Sequence, residues 1–298
     1  MAGKMGMSMI ILMYKKIFRT IRISVNTISP LIGTILLFYR NFGRIPDLDN
    51  PKDINEKIQF LKLTEYCNNP TIFQCVDKYG CREYLTNKGY ADLLPQNYGL
   101  YTDARQINWK DLPDKFIVKC THGSGYNIIC DDKNKLETDK TIQTLNRWLK
   151  EDYWREWGEL QYKDVKHRII VDEYLGIRIN TYKFYCFNGE PKVMYLSSWG
   201  ENGEYDKYYD YYDMDWKHLD VRLEGHQNSQ HIAEKPDGFE RMKAIARDLS
   251  GDFKFVRIDL YNINGKIYFS EFTFVPTGGF MKLTPEECLY EWGSWLEL

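Results

Sequence analysis

Apolar and polar residues alternate with a period of two where Phe255, Arg257, Asp259 and Tyr261 interleave with Val256, Ile258 and Leu260, which predicts a β-strand. Residues 267–274 repeat the pattern with β-branched and aromatic side chains, and Asn264-Gly265 marks a turn between the two. The stretch therefore reads as a hairpin. Shorter apolar strands are expected at 116–120, at 128–130, from Arg168 into the Asp172-Glu173 pair, and at 182–187 ahead of an Asn188-Gly189 turn. Helices are expected over 56–66, 79–87, 140–157 and 238–250, the last closed by Gly251.

Charges inside the 255–274 hairpin make it a candidate site rather than a fold signature, the alternative being a surface hairpin with solvated charges. Register decides whether they cooperate. A two-residue Asn264-Gly265 loop would send Asp259 and Glu271 to opposite faces, because side chains alternate. A three-residue loop, 263–265 with Gly265 left-handed, would set Arg257 opposite Glu271 and keep Asp259 and Thr273 on one face, and this register is expected here. Two carboxylates and a hydroxyl converging there repel each other unless a cation sits between them. Hard oxygen donors in that number suit Mg²⁺ bridging to phosphates.

Upstream, the strand 116–120 ends at Lys119-Cys120 and is followed by His122-Gly123-Ser124-Gly125-Tyr126-Asn127 and a second strand. Strand, glycine loop, strand is the layout of a flap over phosphates: glycines let backbone amides approach an anion, and a lysine adds a mobile point charge. The loop lacks GxxxxGK[ST], and no helix start follows it, so it is neither a Walker loop nor a dinucleotide fingerprint.

Taken in order, Asn55-Glu56-Lys57-Ile58-Gln59-Phe60-Leu61-Lys62, Asp77-Lys78-Tyr79 with Arg82-Glu83-Tyr84, Lys119 to Gly125, Tyr182-Lys183-Phe184, and Arg257-x-Asp259 through Glu271-x-Thr273 resemble the ATP-grasp superfamily. The closest likeness is its teichuronopeptide-biosynthesis (TupA-like) branch. The resemblance implies an α+β fold in which two lobes with antiparallel sheets clamp ATP, preceded by a helical N-terminal region. Its implied divisions are a basic, partly apolar arm (1–46), a helical subdomain (47–115), a small lobe with the glycine-rich flap (116–177) and a large lobe with the metal-binding hairpin (178–298).

By the same resemblance, Lys78 and Lys119 contact the phosphates under a flap of His122, Gly123, Ser124 and Gly125. Asp172 or Glu173 takes the adenine amino group, with Tyr174 and Leu175 as the hinge. Lys183 and Arg257 face the γ-phosphate, and Asp259, Glu271 and Thr273 hold Mg²⁺. The common pattern has Asn where this chain has Thr273, which leaves open whether one metal is held or two. The implied chemistry is ATP-dependent joining of a carboxylate to an amine through an acyl phosphate. A sugar acid of a surface polysaccharide and an amino acid or amino sugar are the implied substrates.

Composition changes the picture in three places. Seven cysteines, an odd number with no CxxC, indicate neither a disulfide framework nor a zinc site and fit a reduced cytoplasm. His226 and His231 are read as loop residues rather than ligands. Lys4, Lys15, Lys16, Arg19, Arg22, Arg40 and Arg44 face no acids in the first 46 residues, giving +7, so with a total of −2 the remainder carries −9. An acidic body makes nucleic acid an unexpected partner.

The apolar runs at 9–13 and 28–39 fall short of the ~20 residues of a spanning helix, and no small-residue cleavage site follows them. The arm is expected either to lie on an anionic membrane at the inner face of the cell or to pack on the body. Residues 205–216, tyrosines interleaved with acids, form either a half-buried strand or a stacking platform for sugars. Asp213-Met214-Asp215 is formally a DxD, which keeps a glycosyltransferase of polysaccharide synthesis as the alternative function.

Overall fold

The computed structural model describes residues 2–176, 178–199 and 207–298, and in residues 2–12 the backbone alone. It opens on a helical hairpin, α1 (Ala2–Ile28) and α2 (Pro30–Phe42). Ser29 ends the turn between them by accepting from the Ile32 amide, and Pro30 sits at the first helical position, where no amide donor is needed. Next come α3 (Ile54–Thr64), capped by Asp53, α4 (Pro70–Val76), capped by Asn69, and α5 (Gly80–Asn87).

Strands β1 (Asn97–Tyr101), β2 (Phe116–Cys120), β3 (Asn127–Cys130) and β4 (Ile169–Glu173) form an antiparallel sheet in the order β1-β4-β2-β3. Between β3 and β4 lie α6 (Thr138–Trp148) and the single turn α7 (Trp154–Trp157). Phe116, Val118, Ile169 and Val171 pack with Leu145 of α6 into one core.

The larger antiparallel sheet has β5 (Thr181–Phe187), β6 (Glu190–Ser198), β7 (Tyr208–Asp213) and the two-residue β8 (His218–Leu219), with β10 (Phe255–Ile263) and β11 (Lys266–Thr273) on the other side of β5. A separate ladder pairs β9 (Arg222–Leu223) with β12 (Leu283–Thr284), and α8 (Phe239–Ser250) and α9 (Glu287–Trp295) complete the lobe. Phe184, Tyr185, Cys186 and Phe187 are all buried, so β5 is covered on both faces; alternation is lost where both sides need apolar cover. Helix α3 joins this second core through Ile54, Ile58 and Leu61, each fully buried and contributing about 1.5–3 kcal/mol.

The helix expected over 140–157 stops at Trp148. The Trp148 carbonyl accepts from His122 Nε2 at 3.1 Å and the Leu149 carbonyl from His167 Nδ1 at 2.9 Å, which ties down the helix end. The chain restarts as α7 and is turned again by Gly158 at φ 66°.

The arm packs on the body while keeping an open outer face. Its helices cross where Gly33 meets Asn26: a Cβ at Gly33 would lie 1.8 Å from Asn26 Oδ1. Leu37 and Phe38 are buried, Phe38 and Phe42 lie against Phe280, and Arg44 pairs with Asp53 and Glu56. Ile17, Ile21, Ile28, Ile32 and Leu36 remain exposed. The side chains of the 9–13 run up to residue 12 lie outside the described residues.

Candidate active site

The β10–β11 turn is the two-residue Asn264-Gly265 loop, both residues at positive φ (52° and 84°), with Ile263 opposite Lys266. That register alone would separate Asp259 from Glu271. A bulge corrects it: Leu260 pairs with Phe269 but Asp259 pairs with Glu271, so Ser270 is the extra residue. Arg257 is therefore opposite Thr273, and not opposite Glu271 as the three-residue loop required. The charged face survives because the bulge shifts β11 by one residue just before the charges begin.

On that face Asp259 is fully buried and fully engaged. Arg257 Nε donates to its Oδ1 and Arg257 Nη2 to its Oδ2, both at 2.7 Å, and Lys183 Nζ, brought alongside by the β5–β10 register, donates to Oδ2 at 2.7 Å. Burial alone would raise the Asp259 carboxyl, but the two cations outweigh it and hold the group below its usual range. Arg257 Nη2 also donates to Thr273 Oγ1 at 3.1 Å. Glu271 differs: its side chain is 41% exposed, its nearest cation is Arg257 at 3.7 Å, and among the described residues it accepts no hydrogen bond.

A cavity of about 410 Å³ separates this hairpin from the smaller sheet. Lys78, Lys119 and Asp172 line its far wall, Lys183 and Glu271 the near one. Asp172 is 3.6 Å from both Lys119 Nζ and Arg82 Nη1, and accepts from Asn97 Nδ2 at 3.0 Å. Lys78 donates to the Gly123 carbonyl, its backbone amide is fixed by the Thr121 carbonyl, and the adjoining Asp77 pairs with Arg168 at 2.6 Å. Arg82 lines the cavity too; its motif was visible in the sequence, its contact with Asp172 was not.

Not every expected residue reaches this cavity. Ser124 and Gly125 line it, whereas His122 turns inward, 1% exposed and stacked on His167 at 3.8 Å, so it anchors the base of the loop. Gly123 lies against Tyr153, which a Cβ would meet at 2.6 Å. Glu173 accepts from the Gln96 amide at the end of β4, and Tyr174 and Leu175 follow it; Leu94 and Pro95 line the cavity there instead.

A second cavity, also about 410 Å³, adjoins the first through Ser124, Tyr162 and Glu271, which line both. Its own wall is Tyr153, Trp157 and Glu159, facing Arg257, Thr273 and Thr277. Glu159 is 7% exposed, accepts from Gln161 Nε2 at 3.0 Å and from the Tyr153 hydroxyl at 3.3 Å, and burial pushes its carboxyl up to about 7. Sequence reading missed this wall, which comes from the short helix α7 and the residues on either side of it.

Two further candidates lie away from these cavities. Asp213 accepts from the amides of Asp215 (2.9 Å) and Lys217 (2.8 Å), closing the β7–β8 turn, and neither aspartate lines the two cavities. In the tyrosine-rich run Tyr209, Tyr211 and Tyr212 are buried in β7; Tyr205 and Asp206 lie outside the described residues.

A family model described as TupA-like ATP-grasp matches residues 56–296. No curated protein matches the chain. Among solved structures it is similar to D-alanine–D-alanine ligase from Bacillus anthracis, with 16% identity and a TM-score of 0.42 over 67% of this chain and 56% of that one. It is similar to an L-amino acid ligase from Bacillus licheniformis at 12% identity and TM-score 0.48 (82% and 55%). Phosphoribosylamine–glycine ligase from Thermotoga maritima gives 13% and 0.40 (72% and 52%). The chain spans just over half the length of each of these structures.

Proposed function

The chain belongs to the TupA-like ATP-grasp family, and we propose on that basis that it joins a carboxylate to an amine at the expense of ATP. The observation that carries this reading is Glu271, a half-exposed carboxylate that accepts no hydrogen bond among the described residues and lines two adjoining cavities, one edged by lysines and the other by a buried acid and aromatic rings. In the proposed reaction a carboxylate oxygen attacks the γ-phosphorus, the bond to the β-phosphate oxygen breaks and ADP leaves. An amine then attacks the acyl carbon and expels phosphate. Lys78, Lys119 and Lys183 would hold phosphate oxygens by point charge, and Arg257 would keep Asp259 and Thr273 in place.

The donor set fits Mg²⁺. This ion is characteristically bound by one or two carboxylates plus substrate phosphates, and among the described residues no cluster of three His, Cys, Asp or Glu forms an all-protein cage. Glu271 accepts no hydrogen bond among the described residues and would hold the ion together with substrate phosphates, whereas Asp259, directly opposite, already accepts from Arg257 and Lys183, and Thr273 accepts from Arg257; bound there, the ion would neutralise charge on the transferring phosphoryl group.

The family's link to cell-surface polymers supports a sugar acid as the carboxylate and an amino acid or amino sugar as the amine. The arm supports peripheral contact with an anionic membrane from the cytoplasmic side: exposed isoleucines stand beside an all-basic charge set, and no helix among the described residues is long and apolar enough to cross a membrane. Incubating the protein with Mg-ATP, glucuronic acid and hydroxylamine tests the chemistry. Hydroxamate and ADP in equal amounts are expected; sugar transfer from a nucleotide sugar without ATP would replace this reading with the glycosyltransferase one.

A further inference from the structure

We infer that the second cavity is the amine subsite, with Glu159 as the anchor of a primary ammonium group and its proton acceptor. This rests on the ligase reading and names the substrate group that the second cavity takes. Glu159 is 7% exposed, and among the described residues no cationic nitrogen lies within 4 Å of it. Lys62, fully buried, donates to the Trp157 carbonyl at 3.4 Å, and its charge acts on Glu159 only from beyond contact, offsetting part of the burial cost. A buried carboxylate without a contacting counter-ion is costly, and an arriving ammonium supplies the missing charge.

Around it, the rings of Tyr153, Trp157 and Tyr162 line the cavity, and aromatic faces attract cations. Across the cavity Arg257 donates to Asp259 and lies 3.7 Å from Glu271, so its charge is already shared between two carboxylates, while Glu159 lines the opposite wall as an acid without a contacting cation. An anionic substrate group is disfavoured there and an ammonium favoured.

Burial pushes the Glu159 carboxyl up to about 7, with Lys62 and its hydrogen-bond donors pulling the other way and Glu271 adding to the rise, so near neutral pH it can take a proton. The step balances: R–NH₃⁺ gives one proton to the Glu159 carboxylate. The freed amine pair forms the C–N bond as the C–O bond to phosphate breaks. Phosphate leaves with that electron pair and takes the second amine proton.

Calorimetric titration of the full chain with n-propylammonium chloride, against n-propanol as a neutral probe of similar shape, tests the subsite. Saturable binding of the ammonium and none of the alcohol is expected, with affinity falling roughly tenfold or more in Glu159→Gln, as for loss of a charged hydrogen-bond partner. Equal binding of both probes by the parent, or an unchanged ammonium affinity in Glu159→Gln, overturns the inference. The parent's preference decides the matter even where the variant fails to fold. Mg-ATP titration of the same sample separates the readings: ATP binding without ammonium preference removes the subsite and leaves the ligase.

Discussion

The two cavities are equal in volume and opposite in character. The first is edged by lysines on β2 and β5 and between α4 and α5; the second by a buried glutamate and three aromatic rings on α7 and the turns flanking it. They meet at Glu271, Ser124 and Tyr162. On the proposed reading, segregating charge in this way would sort two reactants by sign, phosphates to one side and an ammonium to the other, and would leave the shared carboxylate where the transferred group passes. A single mixed-charge cleft would bind both reactants in either place.

The sharpest test of the comparison lies in the two carboxylates that face each other across the hairpin. Asp259→Asn leaves Arg257 and Lys183 buried without their partner and should cost about 3–5 kcal/mol of stability, read as a lower urea midpoint. Glu271→Gln, at a site 41% exposed and unbonded, should change stability by no more than about 0.5 kcal/mol while Mg-ATP turnover falls roughly a hundredfold. Equal stability loss in the two variants would break the distinction between a locked carboxylate and a free one.

A smaller effect concerns the second cavity. Glu159 has a folded-state pKa raised from 4.5 to about 7, so the folded protein binds more protons there than the unfolded chain between those values. This contribution to stability is fully present below about 4.5 and is lost as pH rises through about 7. Denaturation of the parent should show that loss between pH 5 and 7, with Lys62, Tyr153 and Glu271 as the ionisable neighbours, and Glu159→Gln should lack it.

The smallest effect is expected from the arm. Deleting residues 1–28 removes Lys4, Lys15, Lys16, Arg19 and Arg22, and sedimentation with anionic vesicles should drop about tenfold or more. Helix α1 also braces α7: Arg19 donates to Glu156 at 2.6 Å, Asn26 Nδ2 donates to the Arg155 carbonyl at 2.8 Å, and Arg22 lies 4.0 Å over the Trp157 ring. Propylammonium binding should therefore weaken in the truncated protein, while Mg-ATP affinity holds within about threefold. Parallel loss of both would mean that the cavities are not separable.

The first cavity was legible because its residues sit in periodic strands and a glycine loop, where alternation fixes which side chains share a face. The register was not: the Asn264-Gly265 turn counts to the wrong face, and only the bulge at Ser270 restores the right one. The role of His122 was hidden as well, since a histidine beside glycines carries no sign of the stacked partner, His167, that turns it inward. Glu159 and Lys62 were invisible as a pair because they lie 97 positions apart in elements whose polarity pattern gives no reason to bury a charge. The end of α6 at Trp148 likewise depends on two distant histidine rings.

Direct titration of Mg-ATP into the parent and into Lys119→Ala tests the central claim, that the lysine-edged cleft between the two sheets is the nucleotide site. The account predicts saturable binding by the parent, a stabilisation of about 2.7 kcal/mol at 100 times the dissociation constant, and loss of both in a variant that remains folded. Absence of Mg-ATP binding by the folded parent, or undiminished binding by Lys119→Ala, would contradict it.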